Sequence, residues 1–542
     1  MLTERTARRL ARWVAGCLLA TAAATHAFAE EETLRYVVRK DDTLIGLGQT
    51  LFEDPAAWPL VQRLNRVANP RRIPVGSVLT IPVRLLRKVP RQGQVVFVSG
   101  AVSGDGQPIA RGDVVAEGAQ LVTEARSFLT IELPDGSRLT MQPQSKVRIE
   151  SLHTYEGFDE AQRADFDVER GRIETEVQRQ SGPAARYRIQ TPTAVIGVRG
   201  TSFRVAADEA ATRAEMREGT VAVSAPGEVG KAVRLTEGFG LVAQANQPLP
   251  EPVPLLEAPD ISAVPALHER PLVNVELAPV AGAVAYRGQV AADAGFVQIL
   301  AESRSALPSA KFDGLPDGDY YLRVRGIDSR GLEGRDAQMA LRLKARPEPP
   351  LVSAPRPGGK VNAGEVKFAW SEPEGAASYR FELSRNEDLS SPLVADSALK
   401  AAAMTATLEE GTYHWRLGST RSDGDLGPWG DAMTLIVRPA MSEVPPPSFD
   451  GNTMYFAWTG EPGQRFDYQL ANDRNFDGLI AEGSVDRPEV KLDKPGPGAY
   501  YLRIRAIDPD GFVGAYSSAQ KVVVPAELPS WLLGVPLLLI FL

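Results

Sequence analysis

The stretch TPTAVIGVRGTSFRV, residues 191–205, is the part of this chain that most resembles a catalytic or ligand-binding loop. Its Arg-Gly-Thr sequence interrupts two apolar runs, as a catalytic or phosphate-binding turn would. A phosphate-binding loop, however, needs several glycines at fixed spacing and a Lys, and this run has neither. We therefore interpret Gly200 as a connection between two strands, with Phe203 in the core and with Arg199 and Arg204 on a solvated face.

Other residues that perform catalysis are scarce and far apart. Beyond residue 29 the histidines are His153, His268 and His414, which lie in three different regions, and Cys17 is the only cysteine. Nucleophilic triads, zinc peptidase sites and thiolate metal sites are therefore poorly supported. A pair of carboxylates acting on a glycosidic bond stays open, because Asp and Glu occur throughout the sequence. We expect no enzymatic activity, no metal and no cofactor.

The composition indicates several β domains. The chain has 542 residues, which is enough for about three to five domains, and its 43% hydrophobic and 24% charged residues are ordinary for a globular protein. Its 48 Gly and 42 Pro stand among many short runs of Val, Ile, Tyr and Phe. That combination is typical of strands with frequent turns, and it predicts a mainly β, multidomain fold.

Residues 1–29 have the features of a secretory signal peptide. Four arginines precede the apolar run WVAGCLLATAAAT, and the final AFA fits the small-x-small cleavage rule. We expect cleavage after Ala29, a mature chain that starts at Glu30, and a location in the periplasm or cell envelope. Two alternatives stay open: a lipoprotein acylated at Cys17, within the sequence VAGC, and an uncleaved membrane anchor.

The expected mature chain is acidic. Loss of residues 1–29 would remove four Arg and one Glu, which leaves 56 basic and 67 acidic side chains and a formal charge of −11. Such a chain repels the phosphate backbone, so we expect no nucleic-acid partner. Without cysteine it can form no disulfide, and hydrophobic cores alone must stabilise the fold.

Residues 33–84 have the pattern of a strand, two helices and a strand. YVVRKDDTL predicts a strand followed by an N-cap at Asp42-Thr43, LIGLGQTLF and AAWPLVQRLNRV predict two helices, and SVLTIP predicts the closing strand. This order, together with DDTL, Leu64-Asn65 and IPVGSVLTIP, resembles the LysM module. The resemblance implies a βααβ fold that binds peptidoglycan or chitin-type chains of N-acetylglucosamine.

The LysM resemblance also implies a glycan groove between the loop after the first strand and the loop after the second helix. Backbone groups in such loops can bond N-acetyl groups while aliphatic side chains cover the sugar faces. Carried over to this sequence, one wall consists of Asp42, Thr43, Leu44 and Ile45, and the other consists of Asn69, Pro70, Arg71, Arg72, Ile73 and Pro74. The sequence departs from the family pattern at Asp41 and Val75, so a retained fold with weak binding is the alternative.

Residues 92–247 are predicted to form a strand-rich domain. ELPDGSRLTMQPQSKVRIE has a turn between alternating strands, DVERGRIETEV predicts a strand, a turn at Gly171 and a strand, and REGTVAVS adds a further unit. With GDVVAEGAQLVTEARSFLTIELPDGSRL and IQTPTAVIGVRGTSFRV, these motifs resemble a FecR-type domain. Within that resemblance, Gly200 is a position of close backbone approach, the Thr201 side chain bonds the turn backbone, and Phe203 is a core residue.

The segments around this domain affect what the FecR resemblance implies. Signalling FecR proteins have a cytoplasmic sigma-factor-binding segment and a membrane helix before the domain. Here a predicted signal peptide and a LysM-like module take that place. The sequence therefore favours a periplasmic interaction domain over control of a sigma factor.

Three related β segments follow a Pro-rich linker at 248–267, and they occupy 268–345, 351–438 and 442–525. Their matching strands LPDGDYYLRVRGIDSRGLEG, LEEGTYHWRLGSTRSDGDLGP and KPGPGAYYLRIRAIDPDGFVG align on Gly318, Gly411 and Gly498, which are 93 and 87 residues apart. Trp370 and Trp458 also match, 88 residues apart. A repeat near ninety residues with a Trp and a Gly-x-Tyr-x-x-Arg strand resembles fibronectin type III or Ig-like β-sandwiches, which are usually spacers or adhesion surfaces.

The last twelve residues, WLLGVPLLLIFL at 531–542, are apolar without interruption. They are too few to span a bilayer, which needs about twenty. Two interpretations stay open: the tail caps the last sandwich or is disordered, or it contacts a membrane or a partner.

Together these patterns predict a non-enzymatic cell-envelope protein. It would bind peptidoglycan through residues 33–84 and present a FecR-type domain and three β-sandwiches to an envelope protein or ligand that the sequence does not identify. Two alternatives stay open: a FecR-type transmembrane-signalling regulator and a peptidoglycan hydrolase.

Overall fold

The computed structural model describes residues 32–179, 186–198, 200–228 and 231–526. Within these ranges the chain is mainly β and multidomain, which confirms the predicted fold class, and no helix is long and apolar enough to cross a membrane. The predicted signal peptide, Arg199 and the apolar tail lie outside the described residues. The chain divides into two compact units; the first contains residues up to 266 with 272–315 and 319–342, and the second contains most of the remainder.

The first module has the predicted order of elements. Its elements are β1 (Thr33–Val37), α1 (Leu44–Leu51), a 3-10 turn (Pro55–Ala57), α2 (Trp58–Leu64), β2 (Val78–Pro82) and a second 3-10 turn (Val83–Leu85). β1 and β2 pair in antiparallel fashion. The side chain of Thr43 caps α1 by accepting from the backbone N–H of Gly46 at 3.0 Å, as the sequence predicts.

The module shares its hydrophobic core with the domain that follows. Tyr155 and Ala161, from the tip of a long hairpin in the next domain, are buried in the same cluster as Leu51 of α1. Gly157 forms the tip of that hairpin, and a Cβ there would lie 2.7 Å from Leu51. The module and the hairpin therefore stabilise each other.

The central domain, defined here as residues 88–254, is a closed arrangement of short antiparallel strands around one core. Its strands are β3 (Lys88–Pro90), β4 (Gln92–Ser99), β5 (Val102–Gly104), β6 (Gln107–Pro108), β7 (Val114–Ala116), β8 (Gln120–Thr123), β9 (Phe128–Glu132), β10 (Arg138–Met141), β11 (Lys146–Tyr155), β12 (Phe158–Glu176), β13 (Arg186–Gln190), β14 (Val195–Val198), β15 (Ser202–Ala207), β16 (Ala211–Glu218), β17 (Thr220–Ser224), β18 (Ala232–Thr236), β19 (Phe239–Gln244) and β20 (Val253–Pro254). β12 and β13 pair in parallel, whereas the other pairs in the domain are antiparallel.

One predicted turn in this domain is wrong. The sequence predicts a strand, a turn and a strand around Gly171, but β12 continues through that position from residue 158 to residue 176. Its first half pairs with β11, and its second half pairs with β15. Gly171 has φ +98°, and a Cβ there would lie 2.4 Å from the Cα of Ser145. The glycine therefore bends one strand from one sheet into the next instead of reversing the chain.

Gly200 lies where the chain leaves one sheet and enters another. β14 pairs with β13 and β17, whereas β15 pairs with β12 and β16. Gly200 has φ +90°, and a Cβ there would lie 2.6 Å from the Cα of Arg179. The prediction of a strand connection with close backbone approach is confirmed.

The segment predicted as a Pro-rich linker packs partly on the central domain. β20 pairs with β19, and the backbone N–H of Leu255 donates to the carbonyl of Gly238 at 2.9 Å. The Leu255 side chain is buried. The start of the linker is therefore an added strand, and only its later part is free of strand pairing up to β21 (Leu267–His268).

The first sandwich has a two-stranded sheet, β22 with β25, and a second sheet that includes β27-β26-β23-β24 in that order. Its strands are β22 (Val273–Glu276), β23 (Ala285–Ala291), β24 (Ile299–Ser305), β25 (Ser309–Phe312), β26 (Gly318–Ile327) and β27 (Ala337–Leu343). Gly318 begins β26, at the position that the repeat predicts.

The second and third sandwiches repeat this architecture. The second consists of β28 (Val352–Ala354), β29 (Lys360–Asn362), β30 (Gly364–Trp370), β31 (Ser378–Ser384), β32 (Val394–Leu399), β33 (Ala403–Leu408), β34 (Gly411–Thr420), β35 (Leu426–Trp429) and β36 (Met433–Arg438). The third consists of β37 (Ser448–Asp450), β38 (Thr453–Ala457), β39 (Arg465–Ala471), β40 (Leu479–Val485), β41 (Glu489–Asp493), β42 (Gly498–Ile507) and β43 (Gln520–Val524). Trp370 and Trp458 are buried in their cores, as predicted.

We predict that Gly200→Ala destabilises the central domain, whereas Gly197→Ala in β14 does not. An added Cβ at Gly200 meets the backbone of Arg179, but an added Cβ at Gly197 meets nothing within 4 Å. The expected loss at Gly200 is about 2 kcal/mol or more, and the expected change at Gly197 is below about 1 kcal/mol. Calorimetric unfolding of the full chain measures both, and equal shifts would contradict the assigned connection.

Candidate functional sites: the loop groove and a charged domain interface

The two loops predicted to form the glycan groove lie side by side. The backbone N–H of Leu44 donates to the carbonyl of Pro70 at 2.8 Å, so a hydrogen bond joins the two predicted walls. The loop after β1 ends at the cap of α1, and the loop after α2 returns to β2. The structure thus brings together the two segments that the sequence separates by more than twenty residues.

Several polar side chains of the groove are engaged within the module. Asp42 accepts a hydrogen bond from the hydroxyl of Tyr36 at 2.9 Å, and Thr43 caps α1. Asn69 accepts from the backbone N–H of Arg71 at 2.9 Å. Burial and the hydrogen bond to Asp42 raise the pKa of the Tyr36 phenol. These hydrogen bonds hold the two loops in shape.

Two predicted groove residues are core residues. Leu44 is fully buried and Ile73 is 7% exposed, and both belong to the core of the module. Their side chains therefore cannot cover a sugar face, although their backbone groups border the loops. The exposed side chains of the predicted set are Asn69, Arg71, Arg72 and Pro74, whereas Asp42, Thr43, Ile45 and Pro70 are half-buried.

The strand after Gly200 differs from the prediction at two side chains. Phe203 is buried in the core, as predicted. The hydroxyl of Thr201 is buried and has no hydrogen-bond partner among the residues that the structure describes, so its predicted bond to the turn backbone is wrong. Arg204 is 3% exposed, so its predicted solvated position is also wrong. Strand alternation does direct Arg204 away from the core, but the first sandwich covers it.

Arg204 belongs to a network of buried charges between the central domain and the first sandwich, both in the first unit. Arg204 donates to the carbonyls of Glu333 and Gly334 at 2.8 and 2.7 Å and to Asp336 at 3.0 Å. The central domain contributes Arg172, Glu174, Arg204, Glu215 and Arg217, and the sandwich contributes Arg287, Glu302, Arg323, Arg325, Glu333 and Asp336.

Glu174 of β12 is the central acceptor of this network. Arg323 binds both of its carboxylate oxygens, at 2.9 and 2.8 Å, and Arg325 donates to one of them at 3.0 Å. Gln142 donates to the same oxygen at 2.8 Å. The side chains of Arg323 and Arg325 are each 1% exposed. Charges so fully removed from water are stable only when their partners stay in place.

An apolar seam accompanies the charged network. Phe128 of the central domain packs in one buried cluster with Phe296 and Ile299 of the sandwich. The guanidinium group of Arg323 lies 4.3 Å from the ring centroid of Phe296. The hydroxyl of Thr130 donates to the carbonyl of Val297 at 2.8 Å. The contact therefore combines desolvated ion pairs with close apolar packing.

The pKa values of two carboxyl groups in the network are shifted in opposite directions. Burial alone would raise the pKa of Glu174, but the guanidinium groups of Arg323 and Arg325 lower it to about 2. Burial raises the pKa of Glu215 to about 7, and the charge of Glu333 adds to this effect while Arg204 opposes it. The network thus contains one carboxyl group that changes charge near neutral pH.

The network could not be predicted from the sequence, because the residues that form it are far apart along the chain. Glu174 and Arg323 are separated by 149 positions. A weak signal does exist, since the first and third repeats both carry Arg-x-Arg in YLRVRG and YLRIRA. Among the described residues, no group of His, Cys, Asp or Glu side chains is arranged to hold a metal ion.

We predict that Glu215→Gln becomes more stable relative to the unsubstituted chain as pH rises. The folded-state pKa of Glu215 lies above its unfolded value, so the native state loses stability as pH rises from about 4.5 to about 7. A glutamine does not ionise, and the stability difference should grow by about 2 kcal/mol between pH 5 and pH 8. Calorimetry of the full chain at both pH values measures this difference.

Glu174→Gln is the matched control. Because the folded pKa of Glu174 is about 2, this carboxylate is ionised at pH 5 and pH 8 alike. The variant should therefore be destabilised by a similar amount at both pH values. A stability difference for Glu215→Gln that does not depend on pH would show that Glu215 stays ionised.

Comparison with known proteins identifies one domain. Residues 119–222 match the family model described as FecR protein. No curated protein matches the chain.

Similar solved structures are remote. A proposed anti-sigma factor from Parabacteroides distasonis is 19% identical, with a TM-score of 0.21, 25% of this chain covered and 59% of that chain covered. Fibronectin(III)-like modules of Clostridium thermocellum CbhA are 15% identical, with a TM-score of 0.20 and coverage of 33% and 94%. The FN1-FN3 domains of chicken CNTN1 are 15% identical, with a TM-score of 0.22 and coverage of 50% and 98%.

The family match lies entirely within the central domain and spans β8 to β16 and the start of β17, including Glu174, Gly200 and Arg204. The chain therefore contains a FecR domain at residues 119–222.

Proposed function

We propose that the chain is a FecR-type signalling regulator that acts through protein contacts in the cell envelope. The single observation that carries this proposal is the FecR domain at residues 119–222. The buried network supports it, because the FecR domain and the first sandwich share partners whose charges cannot be separated without a large cost. A change in one domain would thereby alter the other.

A second function, docking on peptidoglycan, belongs to the first module. Its βααβ order and the hydrogen bond between its two loops support this proposal. Arg71 and Arg72 are exposed and Ile45 is half-buried beside the loops, and they offer hydrogen-bond donors and an aliphatic surface to a glycan. The chain would act by binding and not by catalysis, at an envelope location after export.

We predict that the full chain sediments with purified peptidoglycan and that Ile45→Glu with Arg72→Glu weakens this binding several-fold. Arg72 is exposed in the loop after α2 and Ile45 is half-buried in the first turn of α1, and the added charges would repel the acidic wall polymer. The full chain is the proper sample, because the module shares its core with the central domain. Quantified pellet and supernatant fractions measure the binding.

Leu64→Glu is the matched control for glycan binding. Leu64 is 52% exposed at the end of α2, outside both predicted walls. It should leave sedimentation unchanged. A full chain that stays in the supernatant at low salt refutes peptidoglycan docking, and release of new reducing ends from the pellet would refute a purely binding role.

We predict that deletion of the gene changes the transcripts of a defined regulon in the native cell and that Arg323→Ala with Arg325→Ala reproduces the deletion. These substitutions remove both guanidinium groups that bind Glu174 of the FecR domain. Arg416→Ala, at the position of the second sandwich equivalent to Arg323, is the control and should retain the response. Transcript sequencing measures the outcome, provided that immunoblots show equal protein levels. An unchanged transcript profile in the deletion strain would refute the regulatory function.

A further inference from the structure

The first and third sandwiches match position by position. β23, β24 and β26 begin at residues 285, 299 and 318, and β39, β40 and β42 begin at 465, 479 and 498, a constant difference of 180. The strand pairing has the same offset, since Tyr286 pairs with Ser305 and Phe466 pairs with Val485. Each residue of this sheet in the first sandwich therefore has a definite equivalent in the third.

In the first sandwich, this sheet is the face that the FecR domain covers. Ile299 is fully buried and Phe296 is 4% exposed, both in one cluster with Phe128. Arg323 donates to Gln289 in its own sandwich, at 2.6 and 3.2 Å, and binds Glu174 of the neighbouring domain. The face thus combines an aromatic platform, a stacked guanidinium group and a carboxylate supplied from outside.

In the third sandwich, the equivalent face keeps the platform and the guanidinium group. Arg503 stands at the position of Arg323, donates to Gln469 at 2.6 and 2.9 Å, and lies 4.1 Å from the ring centroid of Phe476. Leu479, the equivalent of the buried Ile299, is 43% exposed, and Ile480 beside it is 44% exposed. The apolar part of this face is therefore accessible.

In the second sandwich, the equivalent arginine is paired with a carboxylate of the same sandwich. There the position of Gln289 and Gln469 is occupied by Glu382, and Arg416 donates to its carboxylate at 2.8 and 2.7 Å. The second sandwich thus neutralises its own arginine. Among the described residues, Arg503 bonds only to the neutral Gln469 and stacks on Phe476 and on Tyr516, at 4.1 and 4.4 Å, and it has no carboxylate partner.

The neighbouring arginine does not offer a second open site. Arg505 donates to Asp467 at 2.9 Å and lies 4.6 Å from the ring centroid of Tyr516. Asp467 stands at the position of Arg287, and Tyr516 stands at the position of Asp336. Arg505 is therefore neutralised within the third sandwich, whereas Arg503 among the described residues is not.

We infer that this face of the third sandwich, defined by Phe476, Leu479, Ile480 and Arg503, docks a separate protein that presents a carboxylate among apolar side chains of a β-sheet. Charge complementarity carries the choice, because Glu174 with Phe128 fills the same combination in the first sandwich. A second copy of this chain is not the occupant. Its FecR surface is already covered by its own first sandwich, which a tether holds at high effective concentration.

The test places a photo-crosslinking amino acid at Ile480 in the full chain, produced in its native cell. One protein should be captured, and its yield should fall about 30-fold or more with Arg503→Ala, since removal of one partner from a buried charge pair weakens binding by at least that factor. Leu479→Asp, at an exposed position that the fold does not need, should have the same effect.

Two variants serve as matched controls. Arg416→Ala removes the equivalent, self-neutralised arginine of the second sandwich, and Leu307→Asp places the same charge on an exposed leucine of the first sandwich. Both should leave the yield unchanged. The captured protein is then purified, and its binding to the full chain should be lost with Arg503→Glu and restored when its own carboxylate residue is replaced by Arg.

Four results would overturn the inference. They are the absence of any adduct, an adduct with a second copy of the chain, an adduct with lipid, and a protein adduct whose yield does not depend on Arg503. None of them bears on peptidoglycan docking or on the FecR domain, whose tests use other residues.

Discussion

The structure of the first unit depends on the burial of three charged side chains, Glu174, Arg323 and Arg325, away from water. Each of these groups would be costly to bury alone, and each is tolerable only because the others lie within hydrogen-bonding distance. The FecR domain and the first sandwich are therefore not independent modules on a flexible connection. A fragment that ended at residue 247 would lack the sandwich residues that bind Glu174 and Arg204, and it would expose these two side chains to water.

The three sandwiches share one architecture but differ in how the equivalent arginine, which is Arg323, Arg416 or Arg503, is paired. The first receives a carboxylate from another domain, the second supplies its own through Glu382, and the third supplies only Gln469. The residue at the position shared by Gln289, Glu382 and Gln469 thus decides whether the arginine beside it is neutralised within its own sandwich. Repetition of a fold does not imply repetition of its role.

Local patterns predicted the parts of this structure that local forces determine. The cap at Thr43, the close approach at Gly200 and the core position of Phe203 follow from the neighbouring sequence. The burial of Arg204 could not be predicted, because alternation along a strand shows which side a residue takes but not what packs over it. Ile73 shows a similar limit: its place in a loop suggested a surface, but the small module uses it as core.

β12 connects the core of the first module with the charged network. One end of this strand contributes Ala161 to the core of the first module, and the other end contributes Glu174 to the charged network. Thirteen residues of extended chain span about 43 Å. Because β12 is paired with neighbouring strands along both halves, a displacement of the first module would be carried along β12 towards the salt bridges of Glu174.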